Sequence, residues 1–422
     1  MGAALSGLTL RGRCLLAAGI AASLSAAVLG EEDLLRIGIF LVALPLVAVA
    51  AVARTRYRLT CERRLDPARV AAGIPATVRL RLHNVSRLPT GVLLVEDTLP
   101  WALGERPRFV VDRMEPEGVR EVSYPVLSHS RGRFRIGPLT VRLTDPFGLC
   151  ELSRSFRAHD TLMVTPAVVA LPVVRIGGDR AGGGDGRERS VAVHGEDDVA
   201  VRDYRQGDDL RRVHWRSTAR TGELMVRREE QPWLRSGAVL LDTRAHAHLG
   251  DGPGSSFEWA ISAAASAAVH LARGGYRLRM VTDSGVDVEG GVGFEGRGEA
   301  GLLDALAVVE PSGNPTVEPA VRALRRASVE GVVVAVLGAM DSADLDAVTR
   351  LRSGRLTGVA VLLDTISWAA GPSGRTRGEA AYDENVSVLR RAGWRVLAVR
   401  HGDDLARIWP QAAGGRRAGV GV

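Results

Sequence analysis

From Ser236 to the C-terminus, short and almost uniformly apolar runs alternate with longer amphipathic ones, and this alternation restricts the fold more than any other feature. The apolar runs are SGAVLLDTR, YRLRMVTDS, GVVVAVLGAM, LTGVAVLLDT and WRVLAVRHG. Strands covered on both faces carry apolar side chains in both directions, so these runs read as a parallel sheet. Between them SFEWAISAAASAAVHLARGG, EAGLLDALAVVE, ADLDAVTRLRSG and DENVSVLRRAGW place apolar residues three or four apart, and most stop at glycine, as helices do. The alternation predicts a doubly wound α/β domain over residues 233–413, with any ligand site at the carboxyl ends of its strands.

The N-terminus obeys a different constraint. Leu15–Leu29 and Leu34–Ala53 are apolar runs close to the ~20 residues needed to cross a bilayer. The linker between them, GEED, is brief and acidic. Arg11 and Arg13 precede the first run, and Arg54, Arg56 and Arg58 follow the second. Positive flanks stay on the cytoplasmic side, which predicts a two-pass hairpin over residues 1–56 with its acidic tip outside and the globular parts in the cytoplasm of a plasma-membrane protein. A cleaved signal peptide is the rival for the first run, but no small-residue cleavage site precedes the linker.

Residues 57–165 change to short segments of alternating polarity, among them ATVRLRLHNVS, REVSYPVLSHS and FRIGPLTVRLTDPFG, punctuated by Asp66-Pro67, Gly73, Asn84, Gly118 and Asp145-Pro146. Period-two alternation with turns at this spacing predicts an all-β, immunoglobulin-like antiparallel sandwich of about seven strands. Asp145 reads as a turn cap before Pro146. Residues 166–193, whose glycine-rich core is GGDRAGGGDGRERS, read as a flexible linker, and residues 414–422 as a disordered tail.

Composition narrows the partners. The formal charge is +7, yet all 55 basic residues are arginine, and no aromatic-studded basic stripe appears, so nucleic acid is not expected. Cys14, Cys61 and Cys150 are too few and scattered for a zinc site or a disulfide framework, and Cys61 and Cys150 read as two small buried thiols. No Walker A, HExxH, G-x-S-x-G or dinucleotide fingerprint is present, so neither a cofactor nor a standard hydrolase is expected.

Residues 194–232 hold the densest polar chemistry. Asp208 or Asp209 can cap a helix LRRVHWRSTAR beginning at Leu210, and Gly222 is placed for a left-handed stop. On it Arg212 and Arg216 share one face, four residues apart. Trp215 and Tyr204 are expected to pack between this segment and the α/β domain. His194, Asp197, Asp198, Asp203 and His214 could form a metal or acid–base cluster, the basis of an alternative reading as a hydrolase; interleaved arginines explain the carboxylates as salt bridges instead.

The run RDYRQGDDLRRVHWRSTAR resembles the motif R-x-Y-x-x-G-D-x-x-R-x-[IV]-x-W-x-x-[ST]-A-R of the bacterial domain-of-unknown-function 58 family, through Tyr204, Gly207, Asp208, Arg211, His214, Trp215, Ala219 and Arg220. The upstream RGRFRIGP and DPFGL stretches are also similar to ones common in that family. The resemblance implies a von Willebrand A-like fold for the α/β domain, and an Asp-x-Ser-x-Ser cation loop at the tip of its first strand. Here those positions are Asp242, Arg244 and His246, a degenerate set that supplies one carboxylate and a positive charge, so no metal is expected. The resemblance also implies partners: MoxR-type AAA+ ATPases and membrane transglutaminase-like proteins. The expectation is a membrane-anchored, non-enzymatic protein-binding module, an adaptor or co-chaperone, held in the bilayer through residues 15–53. Its docking surface is formed or ordered by Asp203, Arg205, Asp208, Arg211, Arg212 and Arg216.

Overall fold

The computed structural model describes residues 7–54, 59–87, 89–144, 147–174, 176, 201–203, 213, 215–227, 235–288, 298–327, 329, 331–352, 356–369 and 375–413. Two helices open the chain, α1 (Leu10–Leu29) and α2 (Glu32–Arg54). The hydroxyl oxygen of Thr9 accepts from the Gly12 N–H and caps α1, which ends on Gly30 at φ 72°. The acidic residues expected in the connection instead form the first turn of α2, where Glu32 and Asp33 complement the helix dipole. The helices pack closely through small residues. A Cβ at Gly19 would stand 2.8 Å from the Val42 nitrogen, and one at Gly38 2.8 Å from the Ser23 nitrogen. Their outer faces leave Leu24, Val28, Phe40 and Val47 exposed. Both helices are long and apolar enough to cross a membrane.

The β-rich region has more strands than the alternation predicts: β1 (Leu59–Asp66), β2 (Arg69–Ala71), β3 (Ala76–Asn84), β4 (Leu93–Asp97), β5 (Arg108–Val111), β6 (Val119–Val126), β7 (Gly132–Ile136), β8 (Leu139–Thr144), β9 (Glu151–Phe156) and β10 (Asp160–Thr165). Strands of three or four residues, such as β2 and β5, are too short to show a period. The sheets run β1-β3-β6, β2-β10-β7 and β5-β4-β8-β9. Alternate residues of β3, Val78, Leu80 and Leu82, are fully buried in one core with Val95, Ile136, Leu139 and Val164. Arg63 is buried there, held by Asp97 at 2.8 Å and Asp160 at 3.0 Å, while the Tyr124 hydroxyl donates to Asp97 at 2.6 Å.

Residues 166–176, expected within a flexible linker, lie against the α/β core: Ile176 is buried, and Val168, Leu171 and Val174 pack beside it. Val168, Leu171, Val174 and Ile176 give this stretch apolar surface to bury, whereas the glycine-rich remainder at 177–193 lies outside the described residues. In the motif segment, β11 (Val201–Asp203) pairs antiparallel with β12 (Met225–Arg227), and between them runs α3 (Trp215–Thr221). Gly222 stops α3 at φ 77°, as expected.

The C-terminal region is the α/β fold that the alternation predicts. Its strands are β13 (Arg235–Leu241), β14 (Tyr276–Thr282), β15 (Gly331–Leu337), β16 (Thr357–Leu363) and β17 (Arg395–Val399), and the sheet runs β14-β13-β15-β16-β17, all parallel. Its helices are α4 (Ser256–Arg273), α5 (Gly298–Ala307), α6 (Glu318–Arg326), α7 (Ser342–Leu351), α8 (Arg375–Arg391) and α9 (Leu405–Ile408). Alternate residues of β13 point into different cores: Val239 and Leu241 meet α4 and α5, whereas Ala238 and Leu240 meet α6, α7 and α8. The β-rich region docks onto this domain through two arginines. Arg69 pairs with Asp304, and Arg131 pairs with Glu258 while donating to the Leu306 carbonyl at 2.9 Å.

Candidate functional site

A parallel sheet of this order has a topological switch point between β13 and β15, where the connections leave in opposite directions and open a crevice at the strand ends. Asp242 follows β13 directly and is fully buried; Asp283 follows β14, also fully buried; Asp344 begins α7 beyond β15 and is almost fully buried. Three carboxylates thus converge on the crevice, and unpaired carboxylates cannot be buried there without a compensating charge.

Arg244 supplies that charge. Its side chain is fully buried and its guanidinium grips Asp242 bidentately, Nε to Oδ1 at 2.9 Å and Nη2 to Oδ2 at 2.9 Å. Nη1 reaches Asp344, and Nη2 also donates to the Ala339 carbonyl at 3.0 Å. Backbone N–H groups of Arg244 and Gly338 each add a bond to Asp242 at 3.1 Å. Burial alone would push the guanidinium pKa down; the hydrogen bonds and charge of Asp242, then Asp344, hold it above its usual value. Arg244 therefore stays charged at every pH at which the protein folds.

The remaining oxygens are also engaged. Asp344 Oδ1 accepts from the Thr316 hydroxyl at 2.8 Å and the Val317 N–H at 3.1 Å. Asp283 accepts from the Thr243 hydroxyl, from Ser312 at 2.8 Å and from the Asn314 amide at 2.7 Å. His248 is buried, its Nε2 2.9 Å from the Asp242 carbonyl and its Nδ1 3.3 Å from the Ser256 hydroxyl. Burial pushes its pKa down, and facing a carbonyl oxygen its Nε2–H is the donor. A serine beside a histidine invites a catalytic reading, but Ser256 is fully buried and its oxygen already accepts from the Leu249 N–H at 2.9 Å.

The donor set does not fit a divalent cation. The oxygens such an ion would take from Asp242 and Asp344 already accept from Arg244, and a second positive charge there would face a guanidinium within contact distance. His246, the other unusual residue of the degenerate loop, is exposed on the turn after Arg244 and takes no part. Asp364, after β16, stands apart. One of its oxygens has no partner, the other is 3.4 Å from Arg400, and burial raises its pKa.

Among the described residues, the motif segment makes no hydrogen bond to this network. Asp203 is in β11, paired with Met225, and Arg216 is in α3. Trp215, expected to be packed, is instead 69% exposed, as are Ala219 and Arg220. Among the described residues of this segment Val213 is buried. A helix of seven residues offers little surface of its own on which to pack an indole. Tyr204, Arg205, Gly207, Asp208, Arg211, Arg212 and His214 lie outside the described residues, as do His194, Asp197 and Asp198 of the acid–base cluster.

Sequence reasoning found Asp242 and Arg244 but missed Asp344, Ser312, Asn314 and Thr316. Those four come from 70 or more positions downstream of Asp242 in the chain and carry no local signature.

Among known proteins, the chain is similar to the uncharacterized protein YeaD of Bacillus subtilis, 24% identical over 186 residues that make up 43% of this chain and 47% of that protein. The chain thus spans about half the length of that relative. Likenesses to solved structures are low: the CARDB domain of the PF1109 protein from Pyrococcus furiosus (13% identity, 26% of this chain and 93% of that one, TM-score 0.19) and the putative ApaA protein from Bordetella pertussis (14%, 26% and 94%, TM-score 0.20). Neither bears on function. Residues 200–398, which hold both the motif segment and the Arg244 network, match the family described as protein of unknown function DUF58.

Proposed function

We propose that this chain is a membrane-anchored, cytoplasmic protein-binding module whose docking surface is the motif segment around α3, and that it works without enzymatic chemistry of its own. The observation that carries the reading is Trp215, 69% exposed in a segment that also exposes Arg220 and Leu224. Tryptophan and arginine are the residues most enriched at the energetic centres of protein interfaces, and an indole left in water gains by being covered. The filled switch-point crevice supports the same reading, since every carboxylate there is committed to Arg244 or to neighbouring hydroxyl and amide donors.

The family resemblance suggests the partner class, a MoxR-type AAA+ ATPase, with membrane transglutaminase-like proteins as further associates. It also suggests the von Willebrand A-like description of the α/β domain, here with an internal cation in place of a bound one. An adaptor or co-chaperone role at the cell envelope follows from those partners. Truncating a hot-spot tryptophan costs at least about 2 kcal/mol of binding, roughly 30-fold. Trp215→Ala in the full chain should therefore weaken co-purification with the ATPase by that factor, and Arg212→Glu with Arg216→Glu should abolish it, with the melting temperature unchanged in both. Undiminished capture by all these variants would reject the assignment.

A further inference from the structure

We propose that the turn residues 147–149 just ahead of β9 rest on the cytoplasmic face of the bilayer, with Phe147 seated at the level of anionic lipid headgroups as an interfacial anchor. The inference builds on the membrane-spanning reading of the α1–α2 hairpin. Helix α1 has 20 residues, hence a length of about 30 Å, which equals the hydrocarbon thickness and leaves no slack. Its N-terminus must then lie at the boundary between hydrocarbon and headgroups.

The turn is fastened to that N-terminus. The Thr9 hydroxyl donates to the Gly148 carbonyl at 2.7 Å, the Thr9 N–H to the Leu149 carbonyl at 3.0 Å, and the Glu151 N–H to the Gly7 carbonyl at 2.8 Å. Gly12, in the first turn of α1, lies so close to Leu149 that a Cβ there would collide with its carbonyl. Gly148 therefore stands level with the helix cap, and Phe147, one Cα step of about 3.8 Å away, lies at the same depth. Phe147 is 64% exposed, and a phenylalanine at this depth gains by burying its ring at the boundary between headgroups and acyl chains.

Charge at this level fits the same occupant. Arg11 and Arg13 are exposed on the first turn of α1, and the Arg11 guanidinium reaches to 4.0 Å of the point where a Cβ on Gly148 would stand. Basic groups at this height attract the anionic cytoplasmic leaflet. The α/β domain does not cover this end, because it docks through Arg69 and Arg131 at the opposite end of the strands. The β-rich region is thereby fixed between bilayer and α/β domain, with its Val85 and Val92 side chains exposed at the bilayer end.

The test places p-benzoylphenylalanine at position 147, 40 or 101 of the full chain in nanodiscs of mixed neutral and anionic phospholipid, and reads photoadducts by mass spectrometry. Phe40 lies on the outer face of α2, and Trp101, 90% exposed, lies at the end of the β-rich region away from the hairpin. Lipid adducts at 40 and 147, with none at 101, are expected. Adducts at 40 but none at 147 would overturn the anchor while sparing the membrane-spanning reading. A protein adduct in place of lipid at 147 would likewise overturn it. Absence of lipid at both 40 and 147 would overturn both.

Discussion

Arg244→Met keeps the length and the apolar stem of the side chain while removing its charge and donors. Asp242 would lose its bonds from Nε and Nη2, both 2.9 Å, and keep the backbone bonds from residue 244 and Gly338 at 3.1 Å. Asp344 would keep Thr316 and Val317. Two carboxylates would then remain buried with no opposing charge. Deleting one partner of a buried ion pair costs about 3–5 kcal/mol. In a folding unit of the α/β domain's size each kcal/mol moves the melting temperature by about 2–4 °C, so a fall of roughly 6–20 °C is expected. Differential scanning calorimetry of the full chain in detergent measures it. Adding Asp242→Asn should recover part of the loss, because it removes one of the stranded charges. A fall below about 2 °C for Arg244→Met alone would refute the claim that the guanidinium holds the strand ends together.

Two further predictions concern buried titratable groups. Burial lowers the pKa of His248 in the folded protein, so as pH falls through the ordinary histidine value of about 6.5 the unfolded chain binds protons first. Stability is then flat above that value and declines below it. His248→Gln should flatten the decline in urea midpoints, and equal slopes for both proteins would contradict the assignment. Asp364 has the opposite shift, raised by burial, with one oxygen unpartnered, so its ionised form costs stability above the folded pKa. Asp364→Asn should raise the melting temperature at neutral pH; a lowered one would mean that the carboxylate is needed where it stands.

The architecture was legible because it depends on period and length. Each of the five apolar runs after Ser236 became a parallel strand, and both N-terminal runs became helices of membrane-spanning length. Helix α6 escaped notice, being only nine residues long with Pro319 in its first turn. The Arg244 network was only half legible. The family resemblance pointed to Asp242 and Arg244 as an altered cation loop, but two facts lay beyond one-dimensional pattern. The guanidinium folds back onto its own neighbour Asp242, and Asp344, a hundred positions away, completes the cage. Trp215 went the other way. Its apolar character suggested packing, yet it sits exposed at the start of a helix of only seven residues.

Arg244 holds the Asp242 and Asp344 oxygens that a divalent cation in this crevice would need. Manganese bound per chain, counted by electron paramagnetic resonance titration of the full protein, tests this most directly. No stoichiometric site is expected in the native chain and one in Arg244→Ser, whose freed Asp242 and Asp344 oxygens would suit a hard cation. One manganese bound by the native chain and lost in Asp242→Ala would contradict it.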